Sequence, residues 1–150
     1  MNFEITKYKK EDYANLESMV FGLYNEDSSE ADEEAMTRTK VKNTVVRSVS
    51  NPDQIKIEIF RVGNKVVGYA FLTFYWSNEY GGVVALLDEL YIIPEFRNKG
   101  LATFFIEHLT KEKEYKVIDL EVFKENTSAL KLYKRLGFEI IDRHFMKKKL

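Results

Sequence analysis

The sequence predicts an α/β (α+β) fold, a single domain over residues 1–150 in which strands and amphipathic helices share one core. Three observations predict it. The stretch Val83–Ile93 is apolar except at Asp88 and Glu89, as a strand covered on both faces should be. From Ile55 to Trp76 the period is two, with a turn at Gly63-Asn64, which reads as a hairpin. Elsewhere apolar residues recur at helical spacing.

In chain order, Phe3–Thr6 reads as a first strand, and a helix from about Glu11 to Tyr24 carries Tyr13, Leu16, Met19, Val20 and Leu23 on one side. The acidic stretch Glu26–Glu34 follows. It reads either as a negative rim for a cationic substrate or as a solvated loop with the acidic first turn of a helix. A second helix is expected over about Ala31–Val49, with Ala35, Met36, Val45, Val46 and Val49 inward, and Asn51-Pro52-Asp53 stops it. Ile55, Ile57 and Ile59 alternate with charge, and the return strand Val66–Trp76 ends in the loop Ser77–Gly82. Tyr75, Trp76 and Tyr80 either pack at that strand end or wall a site for a cation.

After the central strand, Pro94 and a basic turn lead to a helix from Gly100 to about Lys113, with Leu101, Phe104, Phe105, His108 and Leu109 on one side. A strand over Lys116–Phe123 precedes Asn126-Thr127-Ser128, any of which can cap the next helix. That helix spaces Ala129, Leu132, Tyr133 and Leu136 at helical intervals and ends at Gly137. Phe138–Ile141 and Arg143–Lys148 read as a closing pair of strands.

Composition narrows the function. A net charge of −1 argues against a general nucleic-acid binder. With no cysteine, disulfides, thiolate zinc sites and a cysteine nucleophile are excluded. His108 and His144 have no ligand-spaced partners, so no metal is expected. Met1–Lys10 lacks the apolar core of a signal peptide, and no run approaches the ~20 apolar residues of a membrane span. A cytoplasmic protein without membrane contact is the expectation.

Two blocks carry chemistry. A carboxylate pair is costly in a buried strand unless partnered or solvated, so a cleft is expected to reach Asp88 and Glu89. In a regular strand they face opposite sides, and only one should line that cleft. Next, Arg97-Asn98-Lys99-Gly100-Leu101-Ala102 combines basic charge, small residues and a helix N-terminus, the composition of an anion-binding turn.

This Arg-x-x-Gly-x-Ala spacing resembles the acetyl-CoA pyrophosphate motif of the GNAT acetyltransferases. Asn126–Phe138, with Tyr133 seven positions after Asn126 and Gly137-Phe138 opening a strand, resembles the family's second signature. Together the two blocks sit in a matching region from about Gly68 to Leu150. Ala102 and Asn98 replace glycines common in the family; alanine stays small, and asparagine tolerates unusual backbone angles.

The resemblance implies a GNAT-like single domain. Its central sheet should be mixed and mostly antiparallel, with helices on both faces, a splayed central strand pair and a bulge near the acidic residues. It implies acetyl-CoA as donor, held by Arg97, Asn98, Lys99, Gly100, Leu101, Ala102 and Thr103 at the pyrophosphate. The pantetheine arm would meet Asn126 and the backbone of Leu90, Tyr91 and Ile92. By spacing alone Tyr133 is a core aromatic; by resemblance its hydroxyl points at the cofactor sulfur.

The implied reaction is acetyl transfer to a primary amine, with Asp88 ranked ahead of Glu89 as proton acceptor and Tyr133 as proton donor. The spacing around Asp88 and Tyr133 looks most like the spermidine/spermine-type enzymes, which implies a small cationic amine met by Tyr24, Glu26, Trp76 and Asp88. A protein lysine or N-terminal acetyltransferase is the alternative, and a non-catalytic acyl-CoA sensor the second. A homodimer stays open.

Overall fold

The computed structural model describes residues 1–26, 35–112 and 114–150. Five strands form one sheet in chain order: β1 (Phe3–Lys7), β2 (Ile55–Val62), β3 (Lys65–Ser77), β4 (Gly82–Ile92) and β5 (Tyr115–Leu120). The first three pairings are antiparallel, and short turns join β2 to β3 and β3 to β4. Only β4 and β5 run parallel, and the helix between them makes the crossover that parallel pairing requires. The expected mixed, mostly antiparallel sheet is therefore present.

Helices cover both faces. On one lie α1 (Tyr13–Glu26) and α2 (Arg38–Ser50), where Leu16, Met19, Val20 and Val41 meet Ile57, Ile59, Tyr69, Phe71 and Tyr91. On the other, α3 (Leu101–Lys111) drives Leu101, Phe105, Ile106 and Leu109 against Phe60, Val67, Ala70, Leu72 and Leu87. The short α4 (Thr127–Arg135) leans Tyr133 and Leu136 on the same cluster. The link from β1 to α1 is pinned by buried Asp12, which accepts from the Lys9 N–H at 2.9 Å and pairs with Arg61 of β2.

Several expectations need correction. Thr37 caps α2 by accepting from the Lys40 N–H at 3.2 Å, so the helix starts later than Ala31. Val41 is then its buried residue, while Val46 and Val49 are exposed. Phe104 is partly exposed, its ring 5.8 Å from that of Phe3, and Ile106 is buried instead. β5 stops at Leu120, not Phe123. Residues 138–150 form no strand, so the closing pair Phe138–Ile141 and Arg143–Lys148 is absent. Asp27–Glu34, most of the acidic stretch, lies outside the described residues.

At Gly68, β3 leaves no room for a side chain beside β4 and β2. A Cβ there would stand 2.5 Å from the Tyr91 carbonyl oxygen and 2.8 Å from the Phe60 ring. Backbone cannot yield as a flexible side chain does. Gly68→Ala is expected to lower unfolding free energy by about 1–3 kcal/mol, measured by urea unfolding with an unchanged m-value.

Candidate active site

The cleft exists because β4 and β5 part. They pair from Val83–Tyr115 to Leu87–Leu120 and no further. Beyond that point Asp88, Glu89 and Leu90 form one wall, and Glu121, Val122 and Phe123 the other. Leu23 and Tyr24 of α1 close one side, and Asn126, Ala129 and Tyr133 close the α4 side. The enclosed volume is about 310 Å³, within the lower range of small-molecule sites.

A bulge sets what faces this space. Leu72 pairs with Leu87 and Phe71 with Glu89, so Asp88 is the inserted residue without a β3 partner. Leu87 therefore packs toward α3, while Glu89, two positions on, turns toward α1. Regular alternation would have put both on one face. The expectation that only one carboxylate lines the cleft fails for this reason: Asp88 and Glu89 both line it.

Glu89 is 9% exposed. Its Oε1 accepts from the Tyr24 hydroxyl at 2.7 Å and its Oε2 from the Tyr69 hydroxyl at 2.8 Å. Burial raises its pKa, the two hydroxyls oppose that rise, and the Asp88 charge adds to it; the net direction is upward. Around Asp88, partial desolvation by the cleft walls and then the Glu121 charge also raise the pKa. The Tyr69 phenol is pushed far up by burial and by Glu89, so it remains a donor.

Tyr133 faces the carboxylates from α4, its phenol raised by burial. Its ring is set by an edge contact with Phe138 at 5.6 Å. Asn126 caps α4, accepting from the Ala129 N–H at 3.1 Å. That bond uses the side-chain oxygen and leaves the amide nitrogen facing the cleft region as a donor.

The basic turn has the backbone an anion site needs. Asn98 has φ 58° and Gly100 φ 86°, both left-handed, and the space where a Gly100 Cβ would stand is open. The first bond of α3 runs from Phe104 N–H to Gly100 O at 2.9 Å, and no side chain caps the helix. The N–H groups of Leu101, Ala102 and Thr103 precede that bond and point out of the helix start. These features fit a pyrophosphate.

Arg97 is placed differently. Its guanidinium makes a two-pronged pair with Glu26 at 2.9 and 2.8 Å, lies 5.3 Å over the Tyr91 ring, and donates from Nε to the Ile92 carbonyl at 2.8 Å. The Tyr91 hydroxyl adds a bond to Glu26 at 3.3 Å. Arg97 and Glu26 thus tie the turn to the end of α1, and the Ile92 carbonyl is engaged. Lys99 and Lys65 both stand over the Phe96 ring, at 5.0 and 5.1 Å, placing two cations beside the turn.

The cleft brings together Tyr24, Asp88, Glu89, Leu90, Asn126 and Tyr133. It does not include Trp76, which pairs with Val83, five residues or about 16 Å along β3 from the bulge. Sequence reasoning missed Tyr69 and Glu121. Tyr69 is a diagonal neighbour of Glu89 only in this register, so no local signal marks it. Glu121 belonged to an expected strand and faces the cleft because the chain has left the sheet there.

A sequence model described as the acetyltransferase (GNAT) family matches residues 18–138. An uncharacterized N-acetyltransferase of Methanocaldococcus jannaschii, MJ1207, is 34% identical over 85 residues, which is 54% of this chain and 38% of that protein. The thialysine N-epsilon-acetyltransferase of Mus musculus is 33% identical over 78 residues, 50% of this chain and 45% of that one. The chain thus spans less than half the length of these two relatives. A possible acetyltransferase from Clostridium difficile 630 superposes with a TM-score of 0.83 at 21% identity, covering 100% and 99% of the two chains, a likeness of fold.

The buried carboxylate makes stability depend on pH. The folded-state pKa of Glu89 lies above its ordinary 4.5, so the protonated form favours the fold and ionisation opposes it. Its stabilising contribution is full below pH 4.5 and is lost as pH rises through the folded pKa. Glu89→Gln should therefore gain stability relative to the native chain as pH rises through that window, then hold a constant advantage. Thermal midpoints from pH 4 to 8 check this; an advantage that shrinks with pH would contradict it.

Proposed function

Since the chain belongs to the GNAT acetyltransferase family, we propose that it moves an acetyl group from acetyl-CoA to a primary amine on a small cation, a polyamine or a lysine-like amino acid. One observation carries the choice of acceptor. Three carboxylates, Asp88, Glu89 and Glu121, line the cleft, and no Lys, Arg or His is among the described residues that line it. Such a wall attracts cations and repels anionic acceptors. The name of the mouse relative, an N-epsilon-acetyltransferase of thialysine, agrees with a lysine-like amine.

Acetyl-CoA supplies the acyl group as a thioester. The backbone turn Asn98–Gly100, the first N–H groups of α3 and the Lys65 and Lys99 charges are the features suited to its pyrophosphate. The β4 edge that no longer pairs with β5 is suited to its arm.

An alkyl ammonium has a pKa near 10.4, so the acceptor enters protonated and must lose a proton before attack. Glu89 is the residue suited to take it, directly or through one water. Burial raises its basicity, and the Tyr24 and Tyr69 hydroxyls fix both its oxygens. Asp88, exposed on the bulge beside Glu121, is suited to hold a second positive group. The backbone N–H groups of Tyr91 or Ile92 are the donors offered to developing oxyanion charge. Tyr133, kept protonated by burial, gives its proton to the departing sulfur.

CoA release followed with a thiol reagent tests this directly, because the chain has no cysteine to react. The amines are spermidine, putrescine, lysine, an aminoglycoside and a lysine-containing peptide. Stimulation by the small cations is expected; stimulation by the peptide alone would move the reading to a protein acetyltransferase. Glu89→Gln should lower kcat/KM by about 10²–10⁴. Asp88→Asn should raise KM for a diamine more than for a monoamine. Tight acetyl-CoA binding without turnover on any amine would overturn the proposal.

A further inference from the structure

Arg97 opens the basic turn, yet its side chain reaches back to β4 and α1. Its Nε donates to the Ile92 carbonyl at 2.8 Å, and Nη2 meets both oxygens of Glu26 at 2.9 and 2.8 Å. An anion approaching this guanidinium would meet the Glu26 charge at nearly the same distance, so attraction and repulsion largely cancel. Lys65 and Lys99, the cations over the Phe96 ring, have no ion pair among the described residues. Positive charge for a pyrophosphate is thus on offer from the lysines and already spent at Arg97.

What the arginine holds is the last turn of α1. Glu26 closes that helix, a carboxylate at the negative end of the helix dipole, and no basic residue in the last turn offsets it. Arg97 supplies that cation from another element. Tyr91 supplies the seat. Its ring lies 5.3 Å from the guanidinium, and its hydroxyl donates to Glu26 at 3.3 Å. A Cβ at Gly22 would stand 2.6 Å from that hydroxyl oxygen, so the helix rests on the ring where residue 22 has no side chain. Gly22, Tyr24 and Glu26 span little more than one helical turn. Whatever fixes Glu26 therefore also fixes Tyr24, whose hydroxyl holds Glu89 at 2.7 Å.

We infer that Arg97 is a positioning residue for Glu89, acting through Glu26 and Tyr24, and that its charge does not serve the donor's pyrophosphate. For its effect on rate the inference rests on the acetyl-transfer reading above; for its effect on Glu89 it rests on the geometry alone. Without Arg97 the end of α1 loses its anchor, and the Tyr24 hydroxyl is no longer aimed at Glu89. The other titratable groups around Glu89 are Tyr69 from β3, Asp88 and Tyr91 on its own strand, Glu121 beyond β5 and Tyr133 from α4. None of these is held by Arg97 except Tyr91, on whose ring it lies. Losing the Tyr24 donor removes a bond that favours the ionised carboxylate, so the Glu89 pKa rises.

Binding and turnover are read separately. In Arg97→Ala, acetyl-CoA affinity by calorimetry should stay within about twofold of the native chain, while Lys99→Ala weakens it about fivefold. A loss in Arg97→Ala as large as that in Lys99→Ala would make the arginine a donor contact and overturn the proposal. Glu26→Gln keeps the shape of the pair and removes the opposing charge. It should lower kcat on the stimulating amine by about tenfold, and adding Arg97→Ala should cost little more. Tighter acetyl-CoA binding by Glu26→Gln with kcat unchanged would sink the idea, as would a change confined to the KM of the amine. A last readout needs no turnover. With glutamate carboxyls labelled with carbon-13, the signal missing from Glu89→Gln is that of Glu89. Its titration should move to higher pH in Arg97→Ala and Glu26→Gln, as it does in Tyr24→Phe. A titration unmoved by Arg97→Ala would refute the positioning role even in a chain that acetylates every amine. One that moves in a chain that acetylates none would support the role and count against the reaction instead.

Discussion

The constraint around which the rest is arranged is the Glu89 carboxylate, seated in the middle of a sheet where little water reaches. An isolated charge at such a place would cost several kcal/mol. Here the α1 face answers it with two hydroxyls, one from Tyr24 on the helix and one from Tyr69 on the neighbouring strand. That answer is incomplete in a useful way. Two neutral donors hold the carboxylate in place but do not outweigh its burial, so the carboxyl keeps an affinity for protons above that of a solvated one. A lysine or arginine in place of either tyrosine would have stabilised the charge and lowered that affinity.

On the proposed reading, the donor and acceptor halves of the cleft around that carboxylate are assembled from different physical materials. The donor side is mostly backbone: an open strand edge, two left-handed residues and the start of a helix. The acceptor side is mostly side chain, carboxylates and phenols from β4, α1 and α4. Backbone suits a partner that never varies, and side chains suit one that does. The Arg97–Glu26 pair joins the two halves, since Glu26 ends the same helix whose Tyr24 holds Glu89.

How much of this was legible in the sequence follows from how local each feature is. The buried acidic strand, the basic turn and the α4 spacing are runs of neighbouring residues, and the fold carries each where the composition places it. The partnership of Glu89 with Tyr69 depends on the β3–β4 register, which no short stretch encodes. Trp76 was grouped with the site as an aromatic near a strand end, but β3 is 13 residues long and carries it to the far end of the sheet. Of the inner stripe expected for α2, Met36 and Val45 pack on the core while Val46 and Val49 face outward, and Val41 is buried in a helix whose start Thr37 sets. The closing strands have the composition of strands, yet a strand needs a partner as well as a composition.

The bulge at Asp88 has a consequence for anyone who would move this strand into another scaffold. Its two halves are out of phase: Leu87 packs with the α3 cluster, whereas Glu89 and Tyr91, two and four positions on, lie on the α1 face. A graft that copies the residues but regularises the backbone would turn the acidic half inside out, exposing the tyrosine and burying leucine against the wrong helices. Removing Asp88 alone would keep the phase defect from arising in the partner pairs, Leu72 with Leu87 and Phe71 with Glu89. The inserted residue is therefore a spacer as well as a carboxylate. Its side chain and its place in the chain can be altered separately.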